Sequence, residues 1–165
     1  GKKYELVRGV LVEKVATGHP HSVVVAIITT VLSLFAGPRN YGVVVAGEPG
    51  YLLEIGPDTV RCPDVAWVAP ERIPMGFQGF PDLVPDLVVE VKSPSNSYPE
   101  MRRRAEMWLG FGARQVWSAD PDRATITRYA PGAEPVILDE NDIIDGGDLL
   151  PDFTAPVWSL FRWQR

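Results

Sequence analysis

Three residues near the middle of the chain have the types and the spacing for metal-assisted hydrolysis. Glu90 and Lys92 lie two positions apart at the end of an apolar run, so on a β-strand their side chains point to the same face. Asp64 opens a second apolar run, 64–68. If the two runs are neighbouring strands, Asp64 and Glu90 can converge on one cation.

The chemistry that suits this set is hydrolysis of a phosphodiester. Two carboxylates, the main-chain carbonyl of Val91 and water are ligands that Mg²⁺ or Mn²⁺ accepts. Such an ion polarises a phosphoryl oxygen and lowers the pKa of a bound water. Lys92 can orient the nucleophile or stabilise the developing charge. The alternatives are a turn or strand-start aspartate at Asp64, and a cross-strand or edge salt bridge for Glu90 and Lys92.

Three further residues are candidate accessories to this site. His21 opens an apolar helix, where it faces the substrate or is a polar helix-start residue. Arg104 belongs to the basic cluster 102–104, which contacts phosphates or forms a solvated helix face. Glu5 completes the metal shell or is a solvent-facing hairpin residue. Asp86 shares the Glu90 face but lies about 13 Å away along an extended strand, too far for the same ion.

The elements that must position these residues follow from periodicity and turn signals. A β-hairpin is predicted over 4–15 around Arg8-Gly9, and a buried helix over 21–35 that Gly37-Pro38 ends. A second helix is predicted over 99–111, and a loop over 69–81. The remaining runs predict strands at 42–46, 51–54, 64–68, 87–91, 115–119 and 125–129.

The fold class that follows is mixed α/β (α+β). A strand, a helix and a strand over 87–119 imply one parallel pair. We therefore expect a mixed sheet flanked by two main helices, with an N-terminal hairpin, in a single domain spanning 1–165. A terminal apolar patch, expected to close the core, comprises Phe153, Trp158, Leu160 and Phe161.

Composition restricts the function classes without choosing among them. The chain is 45% apolar and 22% charged, as in soluble globular proteins. The single cysteine, Cys62, cannot form an internal disulfide, so we expect a cytoplasmic location. The apolar stretch 23–36 is expected to be too short to span a membrane. No glycine-rich phosphate loop or zinc-spaced Cys/His set occurs, and no organic cofactor is expected.

The acidity of the chain is concentrated late in the sequence. The net charge is −5, but the segment 134–152 carries seven acids and no bases. The rest of the chain has 14 acids and 16 bases, a net charge of +2. Charge therefore neither demands nor excludes a nucleic-acid partner.

The order of these motifs resembles a known family. Pro63-Asp64 followed by Glu90-Val91-Lys92 matches the PD-(D/E)xK pattern of restriction-endonuclease-like nucleases. More narrowly, the chain resembles the Uma-type family of restriction-endonuclease-like proteins. The resemblance spans residues 4–161 and is carried by Tyr4-Glu5-Leu6-Val7 with Gly9, His21, Arg61-Cys62-Pro63-Asp64, Pro85 to Val91 running into Ser93-Pro94-Ser95, Trp117 and Asp120-Pro121.

The resemblance implies a Mg²⁺- or Mn²⁺-dependent endonuclease acting on DNA, with Asp64 and Glu90 as ligands and Lys92 as the catalytic cation. A homodimer is expected, because cutting both strands of a duplex needs two sites. The chain departs from the family at Arg8, where an acid is common. Many members have an apolar residue at the position of Lys92 and a lysine at that of Arg104.

Two other functions remain open. The acidic net charge and the lack of an obvious duplex-binding arm favour a catalytically silent module, which keeps the nuclease fold for binding or dimerisation. The same metal chemistry could also serve a small phosphate ester.

Overall fold

The computed structural model describes residues 2–73, 76 and 78–162. A short 3-10 helix, Pro70–Arg72, follows the sixth strand. The other elements are, in chain order, β1 (Lys3–Val7), β2 (Val10–Lys14), α1 (His19–Arg39), β3 (Val43–Ala46), β4 (Tyr51–Glu54), β5 (Thr59–Arg61), β6 (Val65–Val68), β7 (Leu87–Val91), α2 (Tyr98–Phe111), β8 (Gln115–Asp120), β9 (Thr125–Tyr129), β10 (Val136–Leu138), β11 (Ile143–Gly146), β12 (Leu150–Pro156) and α3 (Val157–Leu160).

A six-stranded mixed sheet forms the centre of the fold. Its strand order is β10-β9-β8-β7-β6-β3, with β7 and β8 parallel and the other neighbours antiparallel. The predicted strand–helix–strand unit over 87–119 and its parallel pair are therefore confirmed. Strands β6 and β7 are neighbours, with Val65 opposite Val89.

The N-terminal hairpin is confirmed. Arg8 and Gly9 have φ angles of +47° and +76°. Two successive left-handed residues are typical of the tight turns that match the twist of a hairpin. Strand β5, which the sequence analysis did not predict, joins this hairpin to β4 in a four-stranded sheet of order β2-β1-β5-β4.

Helix α1 is longer than predicted, because Gly37-Pro38 does not end it. Proline removes only one helical N–H bond, so the helix continues through Pro38 to a left-handed cap at Asn40. By length and composition alone, this helix is long and apolar enough to cross a membrane, so the expectation that the segment is too short was wrong. In the structure its buried face packs on the central sheet, through Val24, Ile28, Leu32 and Ala36.

Helix α2 begins at a capping box. The Ser97 side chain accepts the Glu100 N–H, and the Glu100 carboxylate accepts the Ser97 N–H. Its buried residues include Ala105 and Trp108, which pack with Ala66 and Val88 of the central sheet. Because side chains alternate along strands, α1 and α2 cover opposite faces of that sheet, as predicted.

The acidic segment contains strands that the sequence analysis did not predict. β11 pairs with β12 in a two-stranded sheet that buries Ile144 and Leu150. Of the terminal apolar patch, three residues are buried as predicted, namely Phe153, Leu160 and Phe161. The exception is Trp158, whose surface is 43% exposed.

Candidate active site

The fold brings Asp64 and Glu90 together. Asp64 directly precedes β6, and the antiparallel pairing of Val65 with Val89 puts it beside Glu90 on β7. Residues opposed in this way have Cβ atoms about 4.5–5.5 Å apart. Asp64 is 7% exposed and Glu90 is 3% exposed. Two acidic side chains are therefore held side by side inside the protein.

The Asp64 carboxylate is fixed by two partners that reach the same oxygen. The Val91 N–H donates to Asp64 Oδ2 at 2.7 Å, and His21 Nε2 lies 3.1 Å from that oxygen. His21 lies near the start of α1, and this position puts its ring beside Asp64. Its accessory role stays a prediction. The prediction that the Val91 carbonyl binds a metal stays a prediction.

The Glu90 carboxylate is held by helix α2. Trp108 Nε1 donates to Glu90 Oε1 at 2.7 Å, and Arg104 Nη1 donates to Glu90 Oε2 at 3.2 Å. Arg104 and Trp108 are four residues apart and so share one face of the helix. The sequence analysis did not single out Trp108, although its spacing from Arg104 could have revealed this role.

The surroundings of Glu90 favour its neutral form. Burial raises the pKa of the Glu90 carboxyl to about 7, and the negative charge of Asp64 acts in the same direction. The positive charge of Arg104 and the hydrogen bond from Trp108 lower that pKa without cancelling the rise. A further cation beside Asp64 and Glu90 would stabilise their ionised forms.

Lys92 points towards the beginning of α2. Its Nζ donates to Asp122 Oδ2 at 3.2 Å and lies 5.4 Å from the centre of the Tyr98 ring. Asp64 pairs with His21 rather than with Lys92. The cation in contact with Glu90 is Arg104, and the catalytic role of Lys92 stays a prediction.

Glu5 lies inside the protein, so the interpretation of it as a solvent-facing residue was wrong. The Cys62 N–H donates to Glu5 Oε1 at 3.0 Å. Arg61 Nη2 lies 3.5 Å from Glu5 Oε2, and Lys14 Nζ lies 3.9 Å from Glu5 Oε1. The charge of Glu5 also raises the pKa of Glu90.

Lys14, which the sequence analysis did not single out, is a second cation near the site. Its Nζ donates to the Cys62 carbonyl at 3.2 Å and lies 2.9 Å from Glu48 Oε1. Burial lowers the pKa of Lys14, but the hydrogen bond to Glu48 and the charges of Glu5 and Asp64 hold it above its usual value. Lys14 therefore stays charged. Its position on a distant hairpin gave no signal in the sequence.

A cavity of about 670 Å³ reaches the Asp64 side of this site. Asp64 and His21 line it together with Lys14. The other charged residues in its wall are two further lysines and two glutamates, Lys2, Lys3, Glu13 and Glu48. A small polar ligand can therefore approach Asp64 from solvent.

Comparison with known proteins identifies the family of this chain. The model of the Uma2 family, described as “Putative restriction endonuclease”, matches residues 1–158. The chain belongs to the Uma2 family. The restriction-endonuclease-like resemblance drawn from the motifs is thereby confirmed.

A solved structure has the same fold as this Uma2 protein. It is described as a putative nuclease belonging to DUF820 from Anabaena variabilis ATCC 29413. The match has a TM-score of 0.85 at 22% identity, and covers 98% of this chain and 91% of the other. None of the proteins with curated descriptions matches the chain.

The second Pro-Asp aspartate of this Uma2 protein is engaged elsewhere. Asp86 is 1% exposed, and its carboxylate accepts the Ala69 N–H at 2.9 Å and an Arg72 N–H at 2.6 Å. It thereby fixes the chain that leaves β6. These contacts occupy both carboxylate oxygens of Asp86. Its two partners, Ala69 and Arg72, lie far from β7 in the sequence.

The donor chemistry of the site fits a hard divalent cation. Within the described part of the chain, no group of three or more His, Cys, Asp or Glu side chains is arranged to hold a metal. Asp64 and Glu90 nevertheless supply adjacent carboxylate oxygens, and Mg²⁺ commonly takes one or two carboxylates and completes its shell with water. Burial and the charge of Asp64 raise the pKa of Glu90, and Arg104 and Trp108 do not offset them. A divalent cation between the two carboxylates would stabilise their ionised forms.

Proposed function

We propose that this Uma2 protein is a Mg²⁺- or Mn²⁺-dependent nuclease that hydrolyses phosphodiester bonds in DNA. The observation that carries the proposal is the buried pair Asp64 and Glu90, with the pKa of Glu90 raised to about 7 and a cavity reaching Asp64. A carboxyl group whose pKa is shifted by burial and by a neighbouring charge is a candidate functional group. Membership of a family described as restriction endonucleases supports the same chemistry.

In this proposal each residue has a defined task. Asp64, Glu90 and the Val91 carbonyl would hold the ion, whose chemistry would be to polarise a phosphoryl oxygen and to lower the pKa of a bound water. The Val91 N–H and His21 orient Asp64, and Trp108 orients Glu90. A guanidinium has five N–H donors. The Arg104 donors that Glu90 does not use can therefore stabilise charge on the phosphoryl oxygens.

The test is cleavage of plasmid and linear DNA in Mn²⁺, with EDTA as the blank. Glu90→Gln and Asp64→Asn each remove one anionic ligand, and we expect cleavage to fall at least about 100-fold. Glu13→Gln is the matched control, because Glu13 lines the same cavity but is exposed and pairs with Lys2. If the Glu90→Gln variant cleaved DNA at the wild-type rate, the proposal would be refuted.

The same assay assigns the catalytic cation. Lys92→Ala is expected to abolish cleavage if Lys92 leaves Asp122 to meet the substrate. Arg104→Ala is expected to abolish it if the guanidinium beside Glu90 is the cation. Full cleavage by Lys92→Ala together with loss in Arg104→Ala contradicts the assignment of Lys92.

A catalytically silent binding module is the second candidate. It is favoured by the pairing of Lys92 with Asp122 and of Arg104 with Glu90, which engages both cations within the protein. Calorimetry with Mn²⁺ separates the two functions, since the nuclease must bind the ion through Asp64 and Glu90. Absence of binding heat in the folded protein would favour the silent module.

We also propose a homodimer, for which the exposed Trp158 offers apolar surface near the C-terminal end of the described chain. Sedimentation velocity is expected to give twice the monomer mass of 18.2 kDa. Sedimentation at the monomer mass at micromolar concentration would contradict this.

A further inference from the structure

A second cavity, of about 260 Å³, lies on the α2 side of the site and is rich in arginine. It is lined by Arg61, Asn96, Glu100, Arg103, Arg104 and Met107. The lining thus contains three guanidinium groups and one carboxylate, although the net charge of the chain is −5. That carboxylate, Glu100, is already bound to Ser97 in the capping box. The side chains that line the cavity therefore carry a formal net charge of +2.

Two of these arginines are anchored by the carboxylates of the candidate active site. Arg61 Nη2 lies 3.5 Å from Glu5 Oε2, and Arg104 Nη1 lies 3.2 Å from Glu90 Oε2. Each anchor uses only part of a group with five donors. Arg61 Nε is buried and has no hydrogen-bond partner among the described residues. The anchors hold the guanidinium groups in place and leave donors unused.

The other polar groups of the wall also favour an anion. Asn96 Oδ1 accepts the Ser93 N–H at 3.1 Å and the Ser93 hydroxyl at 2.6 Å. Its side-chain NH₂ is therefore the group left to donate. Arg103 is exposed and makes no ion pair with any residue in the described ranges. A ligand here meets N–H donors, which suit the oxygens of a phosphate.

We propose that this arginine cavity binds a phosphate of a nucleic-acid strand, next to the bond presented to Asp64 and Glu90. Arg104 is the link, since it lines the cavity and contacts Glu90. The role of the cavity in cleavage rests on the proposed function. The binding itself needs neither metal nor turnover.

The experiment measures binding of a fluorescent single-stranded oligonucleotide in EDTA, so that no cleavage occurs. Arg103→Ala removes one exposed guanidinium and is expected to weaken binding about 5- to 10-fold at low salt. One lost phosphate contact should reduce the salt dependence, the slope of log K against log salt, by about 0.7. Inorganic phosphate should compete with the strand for the wild type more effectively than for Arg103→Ala.

Arg102→Ala is the matched control. Arg102 is the preceding residue on the same helix, so its removal changes net charge and helix propensity equally. Its guanidinium instead pairs with Glu106 at 2.7 Å and lines a different cavity, beside Glu134. We expect a change of less than about 2-fold, from the general loss of one surface charge. Circular dichroism verifies that both variants are folded.

The source of the phosphate is resolved by comparing strands with a 5′-phosphate and a 5′-hydroxyl. If Arg103→Ala weakens the binding of the phosphorylated strand alone, the cavity binds a terminal phosphate. If Arg103→Ala weakens the binding of both strands equally, the cavity binds a backbone phosphodiester. Equal effects of Arg103→Ala and Arg102→Ala on both strands overturn the proposal. Binding that depends on Arg103 in a protein that never cleaves DNA refutes the nuclease but not the site.

Discussion

Relative to the Glu90→Gln variant, the wild-type protein is expected to lose roughly 3 kcal/mol of its free energy of unfolding between pH 4.5 and pH 8. One pKa unit corresponds to about 1.4 kcal/mol. The folded-state pKa of Glu90, about 7, lies above the ordinary value of 4.5. The folded protein therefore binds this proton more tightly than the unfolded chain does. That stabilisation is complete below pH 4.5 and is lost as the pH rises through 7.

Denaturant unfolding of both proteins over this pH range measures the effect. Subtracting the two profiles cancels the titrating groups that do not interact with Glu90 and any constant cost of the amide. Glu13→Gln, at an exposed acid, should run parallel to the wild type. Added Mn²⁺ should flatten the wild-type profile, because the ion binds the ionised carboxylate and lowers its pKa. Parallel profiles for the wild type and Glu90→Gln would contradict the raised pKa.

The second large effect is expected from Trp108→Phe. Trp108 is completely buried, and its indole N–H donates to the Glu90 carboxylate at 2.7 Å. The substitution leaves a void and removes a hydrogen bond to a charged acceptor. We expect the free energy of unfolding to fall by about 2–4 kcal/mol at pH 8. The loss should be smaller by at least about 1 kcal/mol at pH 5, where Glu90 is protonated.

Trp117→Phe controls for the size of the void. Trp117 is buried to nearly the same extent, and its indole N–H donates at 2.6 Å to the neutral side chain of Gln115. Its substitution should destabilise the protein by a similar amount at pH 5 and at pH 8. If both variants show the same pH dependence, the Trp108 hydrogen bond does not act on the ionisation of Glu90.

The parts of the fold that were predicted correctly depend on local rules. The Arg8-Gly9 turn and the alternation around it are sufficient to define a hairpin. The apolar run 87–91, the proline near the start of the next helix and the run 115–119 define a crossover whose strands must be parallel. The convergence of Asp64 on Glu90 required only the further assumption that β6 and β7 are neighbours.

The parts that were missed depend on partners distant in the sequence. β5 is only three residues long and exists because Val60 pairs with Leu6. In β11 and β12 the surface acids obscure the apolar positions that face the core, such as Ile144 and Leu150. The pairing of Lys92 with Asp122 is of the same kind, since nothing near either residue in the sequence announces it.

The main apolar cluster of this protein joins residues from both ends of the described chain. It includes Val24 of α1 and Phe161, which directly follows α3, and Leu160 in it is 1% exposed. During synthesis the ribosome delivers the N-terminal side of this cluster first. The cluster is therefore complete only after the α3 residues have emerged from the ribosome. Closure of the core consequently has to follow the synthesis of residue 161.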